Sequence, residues 1–391
     1  MATAQNETAP STPAGRPLPD IGKGEIVHEW LEMHGGAENV VESLMRIFPD
    51  TDVTCLWNSA PSRFPDRVKE TWIAKTPLRK SKALAVPFMM EAWRNLPASE
   101  ADWILCSSHL FAHHARFAGE ARGARKLVYA YTPARYIWNP ELDERAGSPL
   151  ARMAAPLLRR VDQYRAAEAH SIVSISNFVR ERISVAWDRD TQVIYPPVDS
   201  KLLIEGSSDV DRLSDAERVV LDGLPDQFVL GASRFVPYKR LDAVIDAGAA
   251  AGLPVVLAGN GPDRDRLIEH GRISGTPVTV IRSPSSGLLH ELFRRALVYV
   301  FPAVEDFGIM PVEAMALGTG VVALQIGGAS ETVIDGETGA LVASLDPHEL
   351  RVGIEKASIV DPASCKARAL SFDRSVFEAQ IANWVSESGA R

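Results

Sequence analysis

The chain lacks several patterns that large classes of chemistry require. Its three cysteines, Cys55, Cys106 and Cys365, are widely scattered and form no CxxC pair and no even disulfide set, which fits a reducing cytoplasm. There is no GxxxxGK[ST], so a P-loop nucleotidase is disfavoured. Gly259-Asn260-Gly261-Pro262 begins like a dinucleotide fingerprint, but the third glycine is missing and no acidic residue is placed after it, which argues against a dehydrogenase. No run approaches the roughly eighteen apolar residues that a membrane span needs, and no repeat occurs at solenoid spacing. Positive charge is in deficit: 42 Lys and Arg against 50 Asp and Glu give a net charge of −8. That balance argues against a nucleic-acid partner. Residues 1–22 contain no charged start and no hydrophobic run of a secretory signal, and read as a disordered tail.

What the chain does have is an alternation of apolar runs and amphipathic segments over 391 residues, 46% of them hydrophobic. Such a length suits two domains. Strands are expected at Glu25 to Trp30, Asp52 to Trp57, Trp103 to Ser107, Lys126 to Tyr131, Ser171 to Ser174 and Gln192 to Tyr195. A helix follows Gly35-Gly36, with Val40, Val41, Leu44 and Ile47 at helical spacing. After Pro196-Pro197 a mixed polar stretch reads as a linker or lid. A second alternation then starts at Phe228 and runs through the strands FVLGAS, PVVLAG, PVTVIR, LVYVF and GVVAL. Strand and helix in alternation predict parallel sheets covered on both faces. The terminal segment carries Phe377, Ile381 and Trp384 on one helical face, which is expected to pack back across the domain boundary.

The most informative stretch is Val298 to Gly320, VYVFPAVEDFGIMPVEAMALGTG. A strand runs into a loop with Glu305, Asp306, Phe307 and Gly308, and a helix opened by Pro311 carries Glu313. Backbone amides at the start of that helix, near Gly308, Ile309 and Met310, have no intrahelical partner and suit an anion. Ionised carboxylates beside an anion site suit a hydroxyl-rich ligand, because they accept hydrogen bonds and cannot donate them. Phosphate flanked by sugars describes a nucleotide sugar. The plainer account is that Glu305 and Glu313 merely complement a helix dipole.

Arg234 and Lys239, in SRFVPYKR, follow an apolar strand at the edge where α/β sheets bind ligands. Two fixed cations there can stabilise a departing diphosphate without a metal, or can simply be solvated loop residues. Gly35-Gly36 permits close backbone approach to a phosphate or to the acceptor, or is only a tight strand-to-helix turn. His109, just past the strand WILCSS, is placed to enter the cleft. His113 and His114 are adjacent and expected to point in different directions, which disfavours a shared metal site. Arg135, in YTPARY, either binds an acceptor or caps a helix. The triplets Asp188-Arg-Asp190, Asp209-Val-Asp211 and Asp263-Arg-Asp265 fall away from the other candidates, so no metal site is expected. The basic and apolar segment from Lys75 to Trp93 reads as an amphipathic helix, with a weak peripheral membrane contact as the alternative.

Taken together, VHEW…HGGAENVVESL, CSSHLFA, YTPARYIW, VIYPPVD, SRFVPYKRLD, LAGNGP, EDFGIMPVEAMALGTGVVA and GGASETVIDGETG resemble the GT-B-fold glycosyltransferases of glycosyltransferase family 4. The branch they look most like is the bacterial mannosyltransferase-like enzymes. The resemblance implies an α/β fold of two Rossmann-like domains facing a cleft, with a C-terminal helix crossing back to the first domain. It places an acceptor-side domain over 23–198 with the helix 372–391, a linker over 199–225 and a donor domain over 226–371. It implies that Arg234 and Lys239 neutralise the donor diphosphate, that Glu313 accepts from the ribose hydroxyls and that Glu305 contacts the donor sugar. Phe307, Gly308, Ile309 and Met310 supply backbone amides, and Gly36, with Gly35, approaches the phosphates. The family commonly has His where this chain has Tyr131; a tyrosine hydroxyl can still donate, and His109 can compensate.

The resulting expectation is a cytoplasmic, metal-independent, retaining transferase. It would use no cofactor beyond a nucleotide-diphosphate-sugar co-substrate. Its acceptor would be a hydroxyl of a glycan, a lipid-linked sugar or a small molecule such as an oligosaccharide antibiotic. A GT-B-shaped sugar-nucleotide epimerase and a catalytically inactive sugar-nucleotide-binding protein are the alternatives.

Overall fold

The computed structural model describes residues 21–138, 149–206 and 208–389; of the expected tail, only Ile21 and Gly22 fall among them. In chain order the first half contributes β1 (Gly24–His28), β2 (Asp52–Cys55), β3 (Val68–Glu70), β4 (Leu96–Ala98), β5 (Trp103–Ser108), β6 (Phe117–Ala118), β7 (Arg125–Ala130), β8 (Ser171–Ser174) and β9 (Gln192–Val193). Seven of these form one parallel sheet in the order 3-2-1-5-7-8-9, and β4 pairs with β6 beside it. The second half adds β10 (Val229–Ala232), β11 (Val255–Gly259), β12 (Val278–Arg282), β13 (Val298–Phe301), β14 (Val321–Leu324) and β15 (Gly339–Val342). They form a six-stranded parallel sheet in the order 12-11-10-13-14-15.

Every residue of β5, β10, β13 and β14 is buried. Strands covered on both faces must be apolar throughout, which is why they read as continuous runs rather than alternations. In each sheet the order reverses direction around the first strand of the domain, β1 or β10, and the loops beside such a switch point form a ligand crevice.

The C-terminal helix, Arg374–Gly389, lies against the first domain. Phe377, Ile381 and Trp384 are buried as expected. The Phe377 ring meets Tyr129 at 5.6 Å between centroids, and the Trp384 indole donates to Ser171 Oγ at 2.9 Å. Burying three such side chains is worth about 1.5–3 kcal/mol each. The segment 199–225, read as helical in pattern and as a linker or lid, carries the short helices Ser200–Glu205 and Asp215–Asp222, the latter opened by a Ser214–Glu217 capping box. Glu291 of the second domain accepts from Ser208 Oγ and the Asp209 amide, both at 2.9 Å, and holds this segment down. Within the basic and apolar segment, Met89 and Trp93 are buried while Leu84 and Phe88 are exposed, on the helix Lys82–Arg94. Among the described residues no helix is long and apolar enough to cross a membrane.

Candidate active site

Three loops at the carboxyl ends of the second sheet build one side of the site. The loop after β10 is floored by Gly259-Asn260-Gly261-Pro262: the Phe235 amide donates to Asn260 O at 2.8 Å, and the Asp263 amide to Phe235 O at 3.0 Å. That fingerprint-like turn is therefore a support for Arg234. A 3-10 turn, Pro237–Lys239, closed by Arg240 in left-handed backbone (φ 51), sets the direction of Lys239. Its ammonium forms an ion pair with Glu305 Oε1. Arg234 is exposed and donates to the Tyr238 hydroxyl at 2.7 Å. Lys239 and Glu305 are thus brought together, and Arg234 stands beside them through Tyr238.

The loop after β13 is held by the Gly328 amide, which donates to Glu305 O at 2.7 Å. The following helix spans Ile309–Ala316 and is capped by Gly308 at φ 98, a conformation glycine adopts without steric cost. It starts two residues before Pro311, a correction to the expected opening. Pro311 sits in the third helical position, where its missing N–H again has no intrahelical partner to lose. The amides of Ile309 and Met310 remain the free donors. Phe307 is buried, its ring packed 5.7 Å from Tyr195 and 5.6 Å from Phe372. Burial, with the Asp199 charge adding to it, pushes the Glu313 carboxyl up to about 7.

The first domain presents Gly35 and Gly36. A Cβ on Gly35 would stand 2.0 Å from Glu38 Oε2, and one on Gly36 would stand 2.7 Å from Ile309 Cδ1. Glu38 folds back over the first glycine, where its Oε1 accepts from the Glu32 amide at 3.1 Å. The second lets the helix starts of the two domains approach each other. Tyr131 reaches the same turn: its hydroxyl donates to Ala37 O at 3.3 Å and bonds Ser107 Oγ at 2.9 Å. Burial drives its phenol well above the ordinary range, so it stays a neutral donor. His109 packs beside it, 6.1 Å between ring centroids.

Two family descriptions match this chain. Glycosyltransferase Family 4 matches residues 34–202, and Glycosyl transferases group 1 matches residues 217–366. The chain is of the GT-B, group 1/family 4 glycosyltransferase type. The D-inositol 3-phosphate glycosyltransferase of Mycolicibacterium smegmatis is 35% identical over 196 residues, 47% of this chain and 41% of that protein. The chain spans less than half the length of the curated relatives it matches first. Among solved structures, Anabaena Alr3699/HepE in complex with UDP-glucose superposes with a TM-score of 0.69 at 21% identity, covering 94% of this chain and all of that one. Sucrose-phosphate synthase from Thermosynechococcus elongatus gives 0.69 at 18% identity over 94% and 99%.

Several residues of this GT-B cleft escaped the sequence reading. Glu29, expected inside a strand, lies just past β1, where its carboxylate accepts amides from the 109–112 turn. Burial pushes its carboxyl up, but His109, His28 and the Ala112 and Leu110 amides outweigh that and hold it below the ordinary range. His28 is buried, which lowers its pKa to about 4 and keeps it neutral. Asp306 receives Arg135 and Arg182 from the first domain, the latter at 2.6 Å, so Arg135 joins the two domains. Glu331 caps the first-domain helix Asn177–Trp187, accepting the Asn177 and Phe178 amides, each at 2.8 Å. A cavity of about 280 Å³ lined by Arg135, Arg182, Tyr238 and Asp306 opens at this junction. A larger hollow of about 960 Å³ adjoins Lys23, Asp52 and Trp103, at the amino ends of the strands and far from the switch point.

His113 and His114 converge, against expectation. Both Nε2 atoms approach Asp162 Oδ1, at 3.1 and 3.0 Å, because a 3-10 turn rather than an α-helix carries them. Trp138 and Trp187 donate to the other oxygen of Asp162 at 2.8 and 2.7 Å. That cluster and His28, Glu29 and His109 are the groups among the described residues with three metal-ligating atoms within 4.8 Å of one another. In both, the carboxylate already has imidazole partners.

Proposed function

We propose that the protein is a retaining glycosyltransferase that moves a hexose-type sugar from a nucleotide-diphosphate-sugar to a hydroxyl acceptor without a metal ion. The observation that carries this reading is the Lys239–Glu305 pair beside the free amides of Ile309 and Met310. It offers a cation, paired with a carboxylate on the loop that leads into the helix whose first amides are free, groups that a sugar pyrophosphate would complement. Lys239 and Arg234 take up charge as the diphosphate leaves, a stabilisation that grows toward the transition state and so accelerates the step. Glu313 receives the ribose hydroxyls, Glu305 a sugar hydroxyl, and Gly35 and Gly36 approach the phosphates. His109 and Tyr131 lie on the acceptor side.

A mannosyltransferase-like activity on a glycan, lipid-linked or small-molecule acceptor, in the cytoplasm, is the finer form of the same proposal. Exposed Leu84 and Phe88 beside Lys80 and Lys82 support a peripheral contact with a lipid-borne acceptor. The test is release of nucleoside diphosphate from a panel of UDP-, GDP- and dTDP-hexoses, UDP-glucose first. Slow release with at least one donor is expected. Conversion of the donor to a different sugar nucleotide, or binding without release, would reject transfer.

A further inference from the structure

The carboxyl end of β1 holds a carboxylate with a division of labour between its two oxygens. Glu29 is fully buried. Its Oε1 accepts the backbone amides of His109 (3.2 Å), Leu110 (2.8 Å) and Ala112 (2.9 Å), with the Ser108 hydroxyl at 3.4 Å. These bonds fix both the turn after β5 and the plane of the carboxyl group. The other oxygen, Oε2, makes no hydrogen bond and lies 3.2 Å from Nδ1 of His109. That nitrogen is sealed from solvent, whereas the His109 side chain as a whole is 27% exposed. The exposure therefore belongs to the opposite edge of the ring, which carries Nε2. Trp30 packs edge-on against the imidazole at 4.8 Å, and Tyr131 closes a further side.

We propose that Glu29 is the positioning residue of His109: Oε2 takes the Nδ1–H hydrogen bond, fixes that tautomer, and presents the Nε2 lone pair to the cleft as acceptor for a sugar hydroxyl. Which ring nitrogen carries the proton is set by the partner of the other one. Contacts of this kind stand slightly long or misaligned in ligand-free proteins and tighten in the complex. The scaffold behind the pair is rigid. Ser108 Oγ bonds His113 Nδ1 at 3.0 Å, and His113 in turn abuts buried Asp162. The hydroxyl ligand rests on the glycosyltransferase reading; the tautomer does not.

The test separates positioning from a merely structural anchor. In Glu29→Gln an amide oxygen still accepts from the 109–112 amides, but the NH2 group facing His109 can only donate, which forces the Nε2–H tautomer. The expected result is a fall in kcat of about 100-fold with the donor KM held within about threefold. A folded Glu29→Gln protein with unchanged kcat overturns the proposal. Should that variant fail to fold, nitrogen-15 spectra of the wild-type protein decide, with the His109 ring assigned by subtraction of His109→Gln. The Nδ1–H form is expected; the Nε2–H form overturns it, as does a stoichiometric metal ion in the purified protein held by His28, Glu29 and His109. A wild-type protein that shows the Nδ1–H form yet transfers no sugar rejects the transferase reading and leaves the positioning claim standing.

Discussion

Lys239 and Glu305, 66 residues apart in the chain, form an ion pair that ties the loop after β10 to the loop leading into the helix that Gly308 caps. The pair is largely shielded, with 11% and 25% of the two side chains accessible, and a pair this shielded loses in desolvation much of what it gains in attraction. On the proposed reading its significance is positional: an arriving pyrophosphate would find the ammonium already held in place.

Lys239→Ala and Arg234→Ala should each lower kcat by about 100-fold or more, the range seen when one electrostatic donor to a developing anion is removed. Melting temperature should hardly move, since neither cation is buried in the core. Steady-state release of nucleoside diphosphate, read beside a thermal melt, checks both halves.

Gly36 faces Ile309, whose Cδ1 would have to shift to admit a side chain. Gly36→Val should raise the donor KM by at least about tenfold, because the methyl groups fill the space where the two helix starts meet. Overall stability should change little: the atom a Cβ meets is the end of a flexible isoleucine. The paired change Ile309→Ala should recover part of the affinity, as titration calorimetry with the donor would reveal.

On the proposed reading Glu313 makes donor binding pH-dependent. Its carboxyl is raised to about 7 by burial, aided by Asp199, so it is largely protonated at pH 6 and ionised at pH 8. In the proposed role the ionised form would accept from the ribose hydroxyls, so the donor Kd should fall as pH rises through 7, and Glu313→Gln should flatten that dependence. Stability runs the other way. A carboxyl raised in the folded state contributes stability that is fully present below its ordinary value near 4.5 and lost as pH rises through about 7. Glu313→Gln should remove that loss between pH 5 and 8 in a denaturant titration.

Legibility followed the physics of each element. The strands β5, β10, β13 and β14 could be read because burial on both faces leaves only apolar residues. The Phe377, Ile381 and Trp384 face announced its own packing. The ends of elements could not be read so well: β1 stops at His28 because Glu29 turns its carboxylate to amides 80 residues later in the chain, and no local pattern encodes that. The start of the 309–316 helix was displaced because Pro311 signals a first turn without saying which position of it. The convergence of His113 and His114 depends on a 3-10 turn, invisible to helical spacing. Asp306, Glu331 and Arg182 act between domains, and such pairings lie outside what a single segment shows.

Asp306 joins the domains through Arg135 and Arg182. Asp306→Ala leaves two guanidinium groups facing a partly buried junction, and removal of one partner of such a group costs about 3 kcal/mol. A lower melting temperature and a larger radius of gyration by small-angle scattering are expected. Asp306→Glu should restore part of both.

The most direct measurement is donor turnover by four proteins side by side: wild type, Arg234→Ala, Lys239→Ala and Glu313→Ala, each incubated with the nucleotide hexose that best protects the wild type from heat. The account predicts that wild type releases nucleoside diphosphate and that all three variants, still folded, lose most of that release. Full release by any of the three would contradict it.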